Sequence, residues 1–333
     1  MAILNRLYPL IPALLLTGCY HDFIPEMDTE PVLCINSLIT AGEPVAVELS
    51  HTWLYTDGDA AGGNVVDDAA VRLFANGIPV QSDYIPQEGD LIRIEASSRR
   101  YGDAWAEVVV PETARATVLE AEPRLTRVGQ YEGTGVFAAD VSFDLQIRLA
   151  VDDISGTDNY FHYSCDGCIE NDSSFADTDG WESYFSTGSF KYEAEPIFAE
   201  HIGVLESVTG SDAWGFTFFT DRQFCDGRYV LNLQYVDANV RIVADSAAAE
   251  SLPECWLEIS LSSVSASCYN WANYCWQMDS GLIGDLGDVG LGDPQWGYSN
   301  VSSGAGVVAA RSKAVCRIDL SEFVRNALAA ERQ

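Results

Sequence analysis

The stretch "VSFDLQIRL", residues 141–149, alternates without a break. Val141, Phe143, Leu145, Ile147 and Leu149 fall on one side, and Ser142, Asp144, Gln146 and Arg148 on the other. Side chains of an extended chain point to opposite faces in turn, so a period of two marks a half-buried strand. The rhythm recurs in "VAVELSHTW", "DLIRIEA", "AWAEVVVP", "NYFHYSC", "WGFTFFT", "RYVLNLQYV" and "CWLEISLSS". Asn76-Gly77 separates the runs "VRLFA" and "IPV" and predicts a hairpin, because both turn positions tolerate positive φ. Two stretches break the pattern. "SASCYNWANYCWQM" predicts a helix capped by Ser265 or Ser267, and "DLSEFVRNALAAERQ" a short amphipathic helix. Helices do not alternate with strands, which excludes a parallel α/β sheet. The chain is predicted to be all-β and mainly antiparallel.

With 333 residues and a hydrophobic share of 47%, the chain can bury a core, and its length predicts two domains. Pro111 closes the first block of strands. The expected organisation is an N-terminal β-sandwich over residues 31–112 and a C-terminal β domain over 113–333. The latter is expected to be a second sandwich or barrel-like unit with one or two short helices, one at its C-terminal end.

The N-terminal residues carry a different message. Residues 1–18 hold one charge, Arg6, and the apolar run "LYPLIPALLLTG", too short to span a bilayer but laid out like a secretory leader. Leu16, Thr17 and Gly18 precede Cys19 in the arrangement of a bacterial lipobox, in which small residues fit the peptidase and the thiol accepts diacylglycerol. Residues 19–30 then read as an acidic tether, with Asp22, Glu26, Asp28 and Glu30. These features predict attachment to the outer membrane through acyl chains, with the body facing the exterior. The net charge of −32 argues against binding nucleic acid.

Cys34, Cys165, Cys168, Cys225, Cys255, Cys268, Cys275 and Cys316 remain once Cys19 is acylated, and an even set in an exported chain predicts disulfides. Connectivity is not encoded in spacing. Cys268 and Cys275 are about 10 Å apart along the expected helix and need partners elsewhere, with Cys255 or Cys225 available. The "CDGC" pair lacks the strand-then-helix setting of a redox site and a second close pair for zinc, so a structural role is expected.

Read together and in order, these phrases resemble the domain-of-unknown-function 4249 lipoproteins. The likeness runs from "CINSLITAGEPVAVELSHT" through "VRLFANGIPV", "SDYIPQEGDLIRIEA" and "FCDGRYVLNLQY" to "DPQWGYSNVSSGAGVVAARS". The resemblance implies an immunoglobulin- or transthyretin-like first sandwich, an outer-envelope location and association with a TonB-dependent transporter. It supplies no catalytic residues. An adhesin or structural envelope protein is the alternative expectation.

Other candidate chemistry is sparse. Asp57, Asp59 and Asp68 occupy positions 1, 3 and 12 of a calcium-loop pattern with Gly62 at 6, although Ala61 stands at 5 and Asp68 is shorter than the usual glutamate. A structural calcium ion is the only cofactor considered, and none is expected. No nucleophile elbow, zinc-protease motif or phosphate-cradling loop occurs, so catalysis is not expected. Trp181 with Tyr184, and Trp296 with Tyr298, are candidates for stacking on a glycan or peptide ligand, while Trp214, Trp256 and Trp271 are expected in the core.

Overall fold

The computed structural model describes residues 30–53, 65–133, 136–154, 156, 158–170, 182–199, 216–244, 252–280 and 297–331. As the alternation predicts, these residues form mostly antiparallel β-structure with two helices, and no sheet closes into a barrel. The largest sheet has six strands in the order β12 (Phe218–Thr220), β9 (Tyr160–Ile169), β14 (Cys255–Val264), β15 (Val308–Asp319), β1 (Leu33–Thr40) and β2 (Glu48–His51). All its neighbours are antiparallel except β1 and β15, which run parallel with Ser37 opposite Val308 and Thr40 opposite Arg311.

Two smaller sheets lie on this wall. One orders β4 (Ile78–Val80), β3 (Ala70–Ala75), β5 (Leu91–Ser98) and β6 (Gly102–Val109). The other orders β10 (Tyr184–Ser186), β13 (Arg228–Ala244), β8 (Val136–Asp152) and β7 (Ala116–Gly133), with β11 (Ser189–Phe190) also paired to β13. Both pack against the same face of the six-stranded sheet, as the parity of β15 shows. Val308 and Ala310 enter the first core, Cys316 and Ile318 pack on the second, and Ser312 lies between.

The first core joins Leu33, Ile35 and Ile39 to Leu73, Ile92, Ile94 and Val108, and is completed from far along the chain by Val301, Val308 and Ala310. The second is built on β8, where Val141, Phe143, Leu145, Ile147 and Leu149 are all buried. Each such side chain contributes roughly 1.5–3 kcal/mol on leaving water. They meet Leu231, Leu233, Val240 and Ile242 of β13, and Leu257, Ile259 and Leu261 of β14. Helix α2 (Ser321–Glu331) closes the end with Val324, Ala327 and Leu328, and sets Phe323 edge-on to Phe143 with centroids 5.2 Å apart. Helix α1 (Ala266–Ser280) covers part of the opposite face of the six-stranded sheet through Cys268 and Tyr269, which pack with Val264, Ala309, Tyr160 and Phe218.

Local signals account for the joints. Asn76 and Gly77 take φ of 52° and 77°, the left-handed pair that a two-residue hairpin requires. Ser265 caps α1, its hydroxyl oxygen accepting from the Cys268 N–H (3.3 Å) and the Ala310 N–H (3.0 Å). Glu195 is wholly buried yet satisfied: it accepts from the Asn232 N–H (2.6 Å), the Tyr229 hydroxyl (2.7 Å) and the Ile197 N–H (3.3 Å). It thereby serves a stretch of β13 that neither β10 nor β11 pairs.

Candidate cleft at the seam of the two cores

The two small sheets leave a seam between them, and three chain segments meet there: the end of β6 with Val110–Glu112, the Asp158–Tyr160 entry to β9, and the end of β14 with the start of α1. Each is pinned by a polar contact. The Ala114 N–H donates to Ser263 Oγ at 3.0 Å, which ties the crossing from first to second core onto the shared sheet. Asn159 is buried: its N–H donates to Asp221 Oδ2 (2.8 Å), and its amide donates to Asp153 Oδ1 (2.9 Å) and the Ile154 carbonyl (2.7 Å). Asn300 grips Val308 from the side, accepting its N–H at 2.9 Å and donating to its carbonyl at 2.8 Å, and Ser267 donates to the same carbonyl at 2.9 Å.

These segments bound a cleft of about 600 Å³. That volume lies within the range of small-ligand sites, which favour such junctions. Its walls are mainly apolar, from Val108, Val110, Pro111, Ile154, Tyr160 and Val264, and among the described residues its charged lining is Glu107, Glu112 and Asp158.

A second cavity, of about 430 Å³, lies at the edge of β9. There the Tyr163 and Tyr235 hydroxyls meet at 2.5 Å, and Cys165 hydrogen-bonds to both. Burial pushes the Cys165 thiol up to about 11, so it is protonated and a poor nucleophile at neutral pH.

His162 lies on the face covered by α1. It stacks on Phe218 with centroids 4.3 Å apart and stands opposite Ser262, with Lys313 the next residue across. Burial, then the Arg311 charge, lowers its pKa below the ordinary 6.5. The folded protein therefore holds the ring neutral where the unfolded chain has begun to take up a proton. Stability from this site is present above the unfolded pKa and is lost as pH falls through the folded one. The melting temperature is expected to drop between pH 7.5 and 5, with a shallower drop in His162→Gln. Parallel curves for the two proteins would contradict this.

The disulfides expected from the even cysteine set do not form among the described residues: none of the eight cysteines from Cys34 to Cys316 is bonded to another. The strand register explains why. Cys165 and Cys168 are three apart on β9 and so point to opposite faces. Cys168 faces Trp256, which puts Cys255 on the other side of the sheet. Cys165 and Cys316 flank Ile259 from two different neighbouring strands. Cys268 follows the far end of β14 from Cys255, about 30 Å away by strand rise, and Cys225 sits exposed in a turn with Arg228. Cys34 and Cys268 are buried, and Cys275 is half-buried on α1.

The remaining candidates are dispersed. Leu16, Thr17, Gly18 and Cys19, Asp57 and Asp59, and Trp181, Trp214 and Trp296 lie outside the described residues. Asp68 is exposed and accepts from Ser98 Oγ at 3.1 Å. Among the described residues no group of three or more His, Cys, Asp or Glu side chains could hold a metal ion. Tyr184 is exposed on β10 beneath the Arg241 guanidinium, 5.3 Å away, which Asp140 holds through two bonds of 2.9 and 3.0 Å. Tyr298 is half-buried outside any strand, in the segment leading to β15 of the six-stranded sheet, whereas β10 belongs to a different sheet. Trp271, expected in the core, is 46% exposed on α1. Trp256 is half-buried on the sheet's outer face, with Arg317 3.8 Å over its ring. Sequence reasoning missed Asn159, Asn300 and the acidic cleft rim. The "YSN" phrase alone carried a signal, for Asn300.

These features define an all-β protein whose two cores share one sheet and enclose a cleft at their seam. The chain belongs to the family described as domain of unknown function (DUF4249), whose model matches residues 21–316. No curated protein and no solved structure matches it.

Proposed function

We propose that this chain is a lipid-anchored lipoprotein of the bacterial outer envelope, facing the exterior. It is non-catalytic and serves as an accessory or ligand-capturing partner of a TonB-dependent outer-membrane transporter. The observation that carries this reading is the Leu16-Thr17-Gly18-Cys19 sequence at the end of an apolar run. The fold is compatible with mooring at that point. Strand β1 lies inside the six-stranded sheet between β15 and β2, so a pull on the tether is taken by an interior strand. Residues 20–32, fully extended, reach about 45 Å. Confinement to the membrane surface raises the effective concentration of the body beside a membrane partner, and the cleft supports capture of a ligand for hand-over.

Pull-down of the full-length protein from detergent-solubilised outer membranes tests the partnership. A β-barrel transporter recovered in stoichiometric amount is the expected result. Recovery of matrix glycans alone would favour the adhesin or structural alternative, and recovery of neither would remove the transporter from the account.

A further inference from the structure

The cleft combines an apolar wall with a rim of one sign. Val109, Pro111 and Ile154 offer a surface for a hydrocarbon or aromatic stem, Val108, Val110 and Val264 of the lining being buried, and among the described residues no Lys, Arg or His lines the space. Of the three carboxylates, Glu107 is held by Arg93 at 2.9 Å. Glu112 and Asp158 are exposed and belong to no ion pair among the described residues. From this complementarity we infer that the cleft takes an organic cation with an apolar body, an ammonium or guanidinium group on a hydrophobic stem. Such a group comes from a free amine or from a basic side chain of a peptide. The inference rests on the ligand-capturing reading above and names its ligand class.

The stem displaces water from the apolar wall, and the charged head meets Asp158 and Glu112 at the solvent-facing rim. The net charge of −32 adds a long-range pull on cations. One feature opposes it: the start of α1, at Ala266 and Ser267, carries the partial positive charge of a helix N-terminus. An anion of the same shape is therefore the discriminating control.

The test is calorimetric titration of the full-length lipidated protein in detergent micelles. Three probes are used: phenethylamine, the dipeptide amide Lys-Phe-NH₂, and 3-phenylpropionate. Both cations are expected to bind at least about tenfold more tightly than the carboxylate, equivalent to 1.4 kcal/mol. The tighter of the two identifies the source, free amine or peptide. The paired variant Asp158→Asn with Glu112→Gln is expected to lose that preference while its melting temperature holds, because both side chains are exposed and unpaired. Equal binding of the carboxylate, retention of the preference in the variant, or no saturable heat from either cation overturns the proposal. A failed transporter pull-down leaves this titration standing, and a failed titration leaves the transporter partnership standing.

Discussion

Cys19→Ala will abolish incorporation of labelled palmitate, and the protein will no longer sediment with outer membranes. A single 14-carbon chain holds a protein only marginally, with an association constant of about 10⁴ M⁻¹, while each further buried methylene adds about 0.8 kcal/mol. A lipobox cysteine carries more than one chain, so removing them is expected to weaken membrane partition by more than about a thousandfold. Little else favours the bilayer. Among the described residues no helix is long and apolar enough to cross it, and an acidic body is repelled by anionic lipid. Because an unprocessed leader could itself hold the variant, residues 1–19 replaced by a secretory leader with a small-residue cleavage site make the second arm. Sedimentation of that chain with membranes, with no palmitate on the parent protein, would refute the lipoprotein reading.

Gly306→Ala is expected to cost about 4 kcal/mol, from the 1–3 kcal/mol of a strained backbone plus a clash that no rotamer relieves. Gly306 has φ of 102°, and an added Cβ would overlap the Ile35 carbonyl and approach Asn36 Oδ1 to 2.9 Å. The neighbourhood is a main-chain zipper. The Ala305 N–H donates to the Leu33 carbonyl (3.0 Å), the Ile35 N–H to the Ala305 carbonyl (2.9 Å) and the Ser37 N–H to the Val307 carbonyl (3.0 Å). A methyl group there pushes β1 away from the segment that completes the first core. At roughly 2–4 °C per kcal/mol, the melting temperature should fall by about 10 °C or more. Gly129→Ala is the control, since its Cβ would meet nothing within 4 Å. Similar melting curves for the two variants would mean that the zipper yields more easily than its geometry implies.

The strands were legible because period-two alternation reports burial directly: the five residues from Val141 to Leu149 expected on one face are the five buried in the second core. The Asn76-Gly77 hairpin and the Ser265 cap were legible because each depends on local chemistry. Partnership between distant strands was not. Alternation in "CINSLIT" says that Ile35 is buried but nothing of its lying parallel to a strand that begins at Val308. The cysteines misled for a related reason: an even count says nothing of register, whereas bonding needs two thiols on one face at short range. Trp271 misled because helical position does not say which side of α1 meets the sheet. The cleft was invisible because it is assembled from Val110, Asp158, Ser265 and Asn300, residues that only the tertiary fold brings together.

The parallel pairing of β1 with β15 has a consequence for biogenesis. Strand β1 cannot find this neighbour until the chain has emerged as far as Val308–Arg311, and such high contact order slows folding. On the export proposed above, the translocating chain stays threadable by default, because the strand that locks its first core is delivered long after β1.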